Sequence, residues 1–243
     1  MRLRRPHIRA KREVPRVEGV MEQLRQRQRG SRTALKIARL LVLLVGSLVF
    51  APIEGRAESD DAAGTVRMFY EVLLSNMRDG AQLGQHGRYV RLEPVIVRVF
   101  DVPYMTRMAV GRSWAETPEP KQRQLAEAFG RYVTSTWADR FDSFSGEHLD
   151  VIGAQSYSDH ILVHTRIVKA SGEPVTIDYL MRQNGNAWQI ADVYLTGTIS
   201  ELATLRSEFS AILRSQGTDA LIAQLNQRAE IIGTAALPSD RKS

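Results

Sequence analysis

The chain has 243 residues, 43% of them apolar, which is enough for one domain with a sizeable core, or at most two small ones. It has no cysteine, which excludes disulfides, thiolate metal sites and cysteine nucleophiles. The net charge is +6, yet residues 1–40 hold 13 Lys/Arg against 3 Asp/Glu while the remaining 203 hold 20 against 24, so the folded body is mildly acidic, whereas a nucleic-acid-binding domain needs its positive charge on the folded body.

The basic stretch runs into Leu40–Ala51, twelve apolar or small residues. As a helix these span about 18 Å, well short of the roughly 30 Å hydrocarbon core of a bilayer. Gly55-Arg56-Ala57 then places small residues at −3 and −1 of a cleavage point. A basic segment, a short apolar segment and such a site form a secretory signal peptide, expected over residues 1–57 with cleavage after Ala57. Met21 is a second candidate start, and an uncleaved inner-membrane anchor is the alternative. Either way, Glu58 onward is expected in the periplasm of a Gram-negative bacterium, with one domain over 58–230 and a flexible tail over 231–243.

Residues 62–76 carry Val66, Phe69, Tyr70, Leu73 and Leu74 at helical spacing. A second helix is expected over about 89–100, with Pro94 near its first turn. Asp101 reads as the N-cap of a short helix that Gly111 ends. Thr117-Pro118-Glu119 opens the longest helix, running to about Phe141, with Leu125, Phe129, Tyr132, Val133 and Trp137 inward. The period then changes. Residues 148–157, 160–169, 174–183 and 187–195 are rich in β-branched and aromatic residues, and Asn184-Gly185 signals a tight hairpin. Thr198-Ile199-Ser200-Glu201 reads as a capping box for a helix ending at Gly217, and Thr218 as the cap of a last one. The order gives an α+β fold: a bent antiparallel sheet of about four strands with helices covering one face.

No nucleophile elbow, phosphate-binding loop or dinucleotide fingerprint is present. His160 and His164 sit four apart, but on a strand that is about 13 Å, too far for one metal. Asp192 shares an alternation with Trp188, Ile190 and Tyr194. Two readings stay open: a general base with a raised pKa, or a buried acid satisfied by amides or an arginine. Arg206, amid Leu202, Leu205 and Phe209, either pairs with such an acid or reaches solvent. The methionines and aromatics Met105, Met108, Trp114, Phe129, Trp137, Phe141, Phe144, Tyr179 and Met181 fit an ordinary core or an adaptable apolar cavity.

Phe100-Asp101, Gly111-Arg112-Ser113-Trp114, Pro120-Lys121-Gln122-Arg123, Ile177-Asp178-Tyr179, Trp188-Gln189-Ile190-Ala191-Asp192-Val193 and Gly197-Thr198-Ile199-Ser200 leading to Arg206-Ser207-Glu208-Phe209 resemble the MlaC-type periplasmic lipid-binding proteins. These are also called the toluene-tolerance family of ABC-transporter auxiliary proteins. The resemblance covers about residues 62–228. Thr196–Leu202 and Phe141–Glu147 are most similar to its hopanoid-biosynthesis-associated branch, HpnM. The resemblance implies an NTF2/cystatin-like bent sheet, a helical cap and an apolar cavity between them. It further implies a carrier, without cofactor or chemistry, that moves a hopanoid or phospholipid between inner-membrane transporter and outer-membrane complexes by transient docking. The expected lining is Met105, Met108, Trp114, Phe129, Tyr132, Val133, Trp137, Phe141, Val163, Ile177, Tyr179, Met181, Leu202, Leu205 and Phe209, with Asp192 and Arg206 as buried polar groups. Trp137-Ala138 and Thr198 depart from the phospholipid-carrying pattern and leave the cargo open.

Physical chemistry is compatible with such a task. A sixteen-carbon tail in water costs about 13 kcal/mol at about 0.8 kcal/mol per CH₂, so a soluble carrier must supply a continuous apolar surface. The alternatives carried forward are an NTF2-like isomerase or dehydratase using Asp192 or Asp178, and a structural adaptor of an envelope complex.

Overall fold

The computed structural model describes residues 54–169, 172 and 174–234. The chain divides into two units, Met1–Val49 and Phe50–Ser243, and all described residues belong to the second. The Leu40–Ala51 segment and most of the expected leader therefore lie outside the described residues, as do residues 235–243.

Helices α1 (Glu54–Arg78), α2 (Gly80–Val99) and α3 (Val102–Val110), a 3₁₀ turn (Gly111–Trp114) and α4 (Glu119–Arg140) come first. Strands β1 (His148–Tyr157), β2 (His160–Val168), β3 (Val175–Asn184), β4 (Ala187–Leu195) and β5 (Ile199–Ser200) follow, and α5 (Glu201–Thr234) ends the fold. The strands form one antiparallel meander in the order β1-β2-β3-β4-β5. The sheet is inward-apolar on one face because Ile161, Val163, Thr165 and Ile167 alternate on β2 while Ile177, Tyr179 and Met181 alternate on β3. Ala62, Val66, Phe69, Tyr70 and Leu73 of α1 are buried against that face, with Leu125, Ala128, Phe129 and Val133 of α4 and Leu202, Leu205, Phe209, Leu221 and Leu225 of α5 in the same core.

The strands match the sequence expectation closely; the helices and turns differ at instructive points. α1 starts earlier than residue 62, at Glu54. α2 also starts early, at Gly80, with a break at Gly84 (φ 59°), so Pro94 stands inside it rather than in its first turn. The acceptor that Pro94 leaves unused belongs to Val90, itself 52% exposed, where water can satisfy it. Asp101 does cap α3: its Oδ1 accepts from Tyr104 N at 3.1 Å. Gly111 (φ 67°) closes that helix, donating to Arg107 O. Thr117 does not cap α4; its hydroxyl donates to Ser113 O at 2.7 Å. The two-residue hairpin turn is Gly185-Asn186, between the paired Asn184 and Ala187.

The expected Thr198 capping box is also corrected. Thr196 and Gly197 take positive φ (51° and 72°) and turn the chain back on β4, making Ile199–Ser200 a fifth strand beyond the four expected. Ser200 is the cap instead, its hydroxyl accepting from Ala203 N at 2.9 Å. Gly217 (φ 82°) breaks the last helical stretch as anticipated, but helix continues to Thr234, past the point where a frayed tail was expected.

Candidate functional site

The expected lining residues divide into two groups. Met105, Phe129, Val133, Val163, Ile177, Tyr179, Met181, Leu202, Leu205 and Phe209 are buried in the core, with Tyr132, Trp137 and Phe141 half-buried against it. Trp137 is the hub of this region: its ring lies 5.0 Å from Phe69, 5.8 Å from Phe100, 5.1 Å from Phe141 and 6.4 Å from Tyr179, so α1, α4 and β3 meet through aromatic faces and edges. Phe144, grouped with these aromatics from the sequence, is 38% exposed under the Arg78 guanidinium. It follows the end of α4 and so escapes the core.

Polar groups inside this layer are few. Thr165 donates to Ile177 O, which leaves its oxygen to accept from the Tyr70 hydroxyl at 2.6 Å. Burial pushes the Tyr70 phenol up to about 12. The Tyr179 hydroxyl, fully buried beside the Tyr70 hydroxyl, makes no hydrogen bond of ordinary geometry, and burial, with the neighbouring Tyr70 hydroxyl adding to it, raises its pKa well above the ordinary value. Deleting a buried hydroxyl that lacks a well-formed hydrogen bond removes a desolvation cost, so Tyr179→Phe is expected to be neutral or to stabilise by about 1 kcal/mol. Thermal melts of the two proteins check this, and a clear drop in Tm would reveal a partner for the hydroxyl.

The second group lies where α3, the 3₁₀ turn and the start of α5 meet. Met108, Trp114 and Arg206 line a pocket of about 480 Å³ together with Arg107, Gly111, Arg112 and Ala115. An adjoining pocket of about 260 Å³ is lined by Met108, Leu202, Asp192 and Arg206 with Tyr104, Leu180, Ala191, Tyr194, Ser200 and Ala203. The two share Met108 and Arg206. The larger falls within the range of small-ligand sites, about 300–1,000 Å³, and the smaller just below it. Arg206, expected as a buried polar group, is exposed. It leaves the stripe of Leu202, Leu205 and Phe209 and rests on Gly111, where an added Cβ would come within 2.9 Å of its Nε.

Asp192 does not share a face with Trp188 and Ile190. A bulge pairs Met181 with Ile190 but Leu180 with Asp192, so the extra residue Ala191 turns Asp192 to the opposite side of the sheet. There Asp192 Oδ1 accepts from Val193 N (2.7 Å) and Leu202 N (3.2 Å), and Oδ2 accepts from the Ser200 hydroxyl (2.6 Å). Of the two readings of Asp192, the geometry is that of a satisfied acid joining β4 to the cap of α5. Burial raises its pKa against the lowering effect of these donors. Because the folded state holds this proton more tightly, stability declines as pH rises from the ordinary carboxylate range through the raised value.

Asp192→Asn can preserve the geometry, with Oδ1 accepting the two amides and the new NH₂ donating to Ser200. It should stay within about 1 kcal/mol of wild type at neutral pH and lose that pH-dependent decline. Asp192→Ala orphans the two amides and should cost about 1–3 kcal/mol. Denaturant titrations across pH, beside an assay of function, separate this joint from a catalytic base, for which Asn would abolish activity.

His160 and His164 are apart, as the strand geometry demands. His160 contacts Asp159 at 2.7 Å and His164 contacts Asp178 at 3.0 Å. No group of three or more His, Cys, Asp or Glu among the described residues could hold a metal ion.

Sequence reasoning missed two features. Arg107 and Arg112 stand on the rim of the larger pocket; Arg112 lay inside the Gly111–Trp114 motif, but nothing in one dimension showed that Arg206 would join them. The other is Arg88, 6% exposed, whose guanidinium donates to Ala138 O at 2.8 Å, Gly80 O at 3.0 Å and Gln85 Oε1 at 2.6 Å.

Among solved structures, the fold is similar to that of a phospholipid-binding protein from Ralstonia solanacearum determined in complex with a phospholipid. The TM-score is 0.63 at 21% identity, over 71% of this chain and 98% of that one. The family model described as MlaC protein matches residues 69–227. That span runs from the middle of α1 through the meander and the pocket-lining arginines to α5, and the chain accordingly belongs to the MlaC protein family.

Proposed function

We propose that this protein is a lipid carrier of the bacterial envelope, which takes the apolar part of a lipid into its interior and moves it between inner- and outer-membrane complexes without altering it. The observation that carries the reading is the pair of adjoining pockets at Met108 and Arg206, whose walls include the apolar side chains of Met108, Trp114 and Leu202. Membership of the MlaC family and the fold shared with a phospholipid-bound protein support it. Both a phospholipid and a hopanoid suit an aromatic and methionine lining.

The periplasm is the proposed location, reached through the signal peptide over residues 1–57. Cleavage after Ala57 would trim only the first turn of α1. Among the described residues the core begins at Ala62, so the mature domain would keep every side chain described as buried. Its mildly acidic surface would limit lingering on anionic membranes, leaving transfer to transient docking with protein complexes.

The test is to purify the protein from the envelope of a hopanoid-producing bacterium, extract it and identify the extract by mass spectrometry. A stoichiometric phospholipid or hopanoid is expected. An extract without lipid, from a protein that also takes up none in vitro, would overturn the proposal.

A further inference from the structure

Arg107, Arg112 and Arg206 line one pocket. All three are exposed, and none makes an ion pair among the described residues. Several other arginines find carboxylates, such as Arg91 with Asp79, Arg166 with Asp150 and Arg228 with Glu208, whereas the exposed Arg67, Arg98 and Arg214 also make no ion pair among the described residues. What sets Arg107, Arg112 and Arg206 apart is that all three line one pocket with Met108 and Trp114. The acid nearest in the adjoining pocket, Asp192, has both oxygens engaged by Ser200 and backbone amides. Gly111 contributes by lacking a side chain. A Cβ there would come within 2.9 Å of Arg206 Nε and push the side chain aside, and the positive φ of that residue favours glycine. Arg206 lies over the end of α3, on the same pocket as Arg107 and Arg112.

Between these cations the pocket wall is Met108 and Trp114. Three uncompensated guanidinium groups around apolar side chains complement one kind of molecule: an amphiphile whose anionic head meets the rim while its tail begins on the wall. Guanidinium is suited to phosphate because its planar fork gives two parallel hydrogen bonds to the oxygens. A lipid with an uncharged hydroxylated head offers these arginines no anion. Free phosphate would satisfy the arginines but leave Met108 and Trp114 in water.

We infer that Arg107, Arg112 and Arg206 form the headgroup site of the carrier, binding the phosphate of a phosphate-bearing lipid while Met108 and Trp114 hold the first part of its tail. The inference rests on the lipid-carrier reading and sharpens its cargo.

The test uses two soluble lipids with identical tails, dioctanoyl phosphatidylglycerol and dioctanoylglycerol, with inorganic phosphate as the third ligand. Binding is measured by calorimetry on the purified protein and on the triple variant R107Q/R112Q/R206Q. Because the three side chains are exposed, the variant should melt as wild type does. Wild type should bind the phosphate-bearing lipid at least about tenfold more tightly than dioctanoylglycerol, and added salt should narrow the margin. The glutamine variant should lose that margin and bind dioctanoylglycerol unchanged; R107K/R112K/R206K should keep part of it. A glutamine variant that binds phosphatidylglycerol like wild type would overturn the headgroup site and leave the carrier reading standing. Inorganic phosphate binding as tightly as the lipid would make this a free-anion site and overturn the lipid assignment. Wild type binding neither lipid would remove the carrier reading and this inference together.

Discussion

Replacing Arg88 by alanine is expected to destabilise the protein by about 3–5 kcal/mol, because three buried oxygens lose a charged donor and the packing of a buried stem is lost with it. For a domain of this size that is a fall in Tm on the order of 10 °C. Arg88 has no carboxylate partner among the described residues. Its guanidinium instead gathers three acceptors: Ala138 O near the end of α4, Gly80 O at the start of α2, and the Gln85 side chain. Carbonyls near a helix C-terminus carry partial negative charge, so the cation is held by a dipole as well as by hydrogen bonds.

Gln85 in turn donates to Ser135 O at 3.4 Å, and Asn76 of α1 donates to the Arg88 backbone carbonyl at 3.4 Å, so Arg88 joins α2 to α4 through its side chain and to α1 through its backbone. The fit is tight around it: a Cβ at Gly80 would lie 1.9 Å from Asp142 O. Arg88→Met keeps the apolar stem but no donors, and should lose most of the same stability. Equilibrium unfolding that places Arg88→Ala within about 1 kcal/mol of wild type would show that water replaces these bonds at little cost.

Trp137→Ala should cost a similar amount, about 3–5 kcal/mol, through lost burial and the cavity left behind. Its ring contacts Phe69, Phe100, Phe141 and Tyr179 at once, so no single neighbour can collapse into the gap. A vacated apolar space of that kind stays dry and accepts apolar guests. The lipid-free variant should therefore melt well below wild type, and saturating lipid should restore more stability to it than to wild type, by the mass-action relation between binding and stability. Trp137→Phe should fall between the two. An equal lipid-induced rise in Tm for Trp137→Ala and wild type would place the bound tail away from this aromatic layer.

How much of this was legible in one dimension follows from the range of the forces concerned. The meander was readable because alternation such as Val175, Ile177, Tyr179 and Met181 is written residue by residue, and because hairpins join neighbours. The Asp101 cap and the Gly111 stop are equally local. Features that depend on a single extra residue were not readable. The Ala191 bulge reverses the side of the sheet on which Asp192 lies, and alternation across it gave the wrong face. The Thr196-Gly197 turn placed a threonine at positive φ, a conformation β-branched residues rarely adopt, and so moved the cap from Thr198 to Ser200.

Of the candidate site, the apolar members Met108, Trp114 and Leu202 could be named from composition and helical spacing. The arginine rim could not, because Arg107 and Arg206 are 99 residues apart in the sequence and meet only when α5 returns past α3. Arg88 was hidden for the opposite reason. Arginine is ordinarily a surface residue, and nothing nearby in sequence announced three carbonyl oxygens waiting to receive it.

The most direct test of the carrier account is a transfer assay between two vesicle populations. Donor vesicles hold a self-quenched fluorescent phospholipid, acceptors hold none, and the purified protein is added at increasing concentration. The account predicts dequenching at a rate proportional to protein concentration, with a soluble one-to-one protein–lipid complex recovered after the vesicles are sedimented. Transfer no faster than without protein, and no lipid in the supernatant, would contradict it.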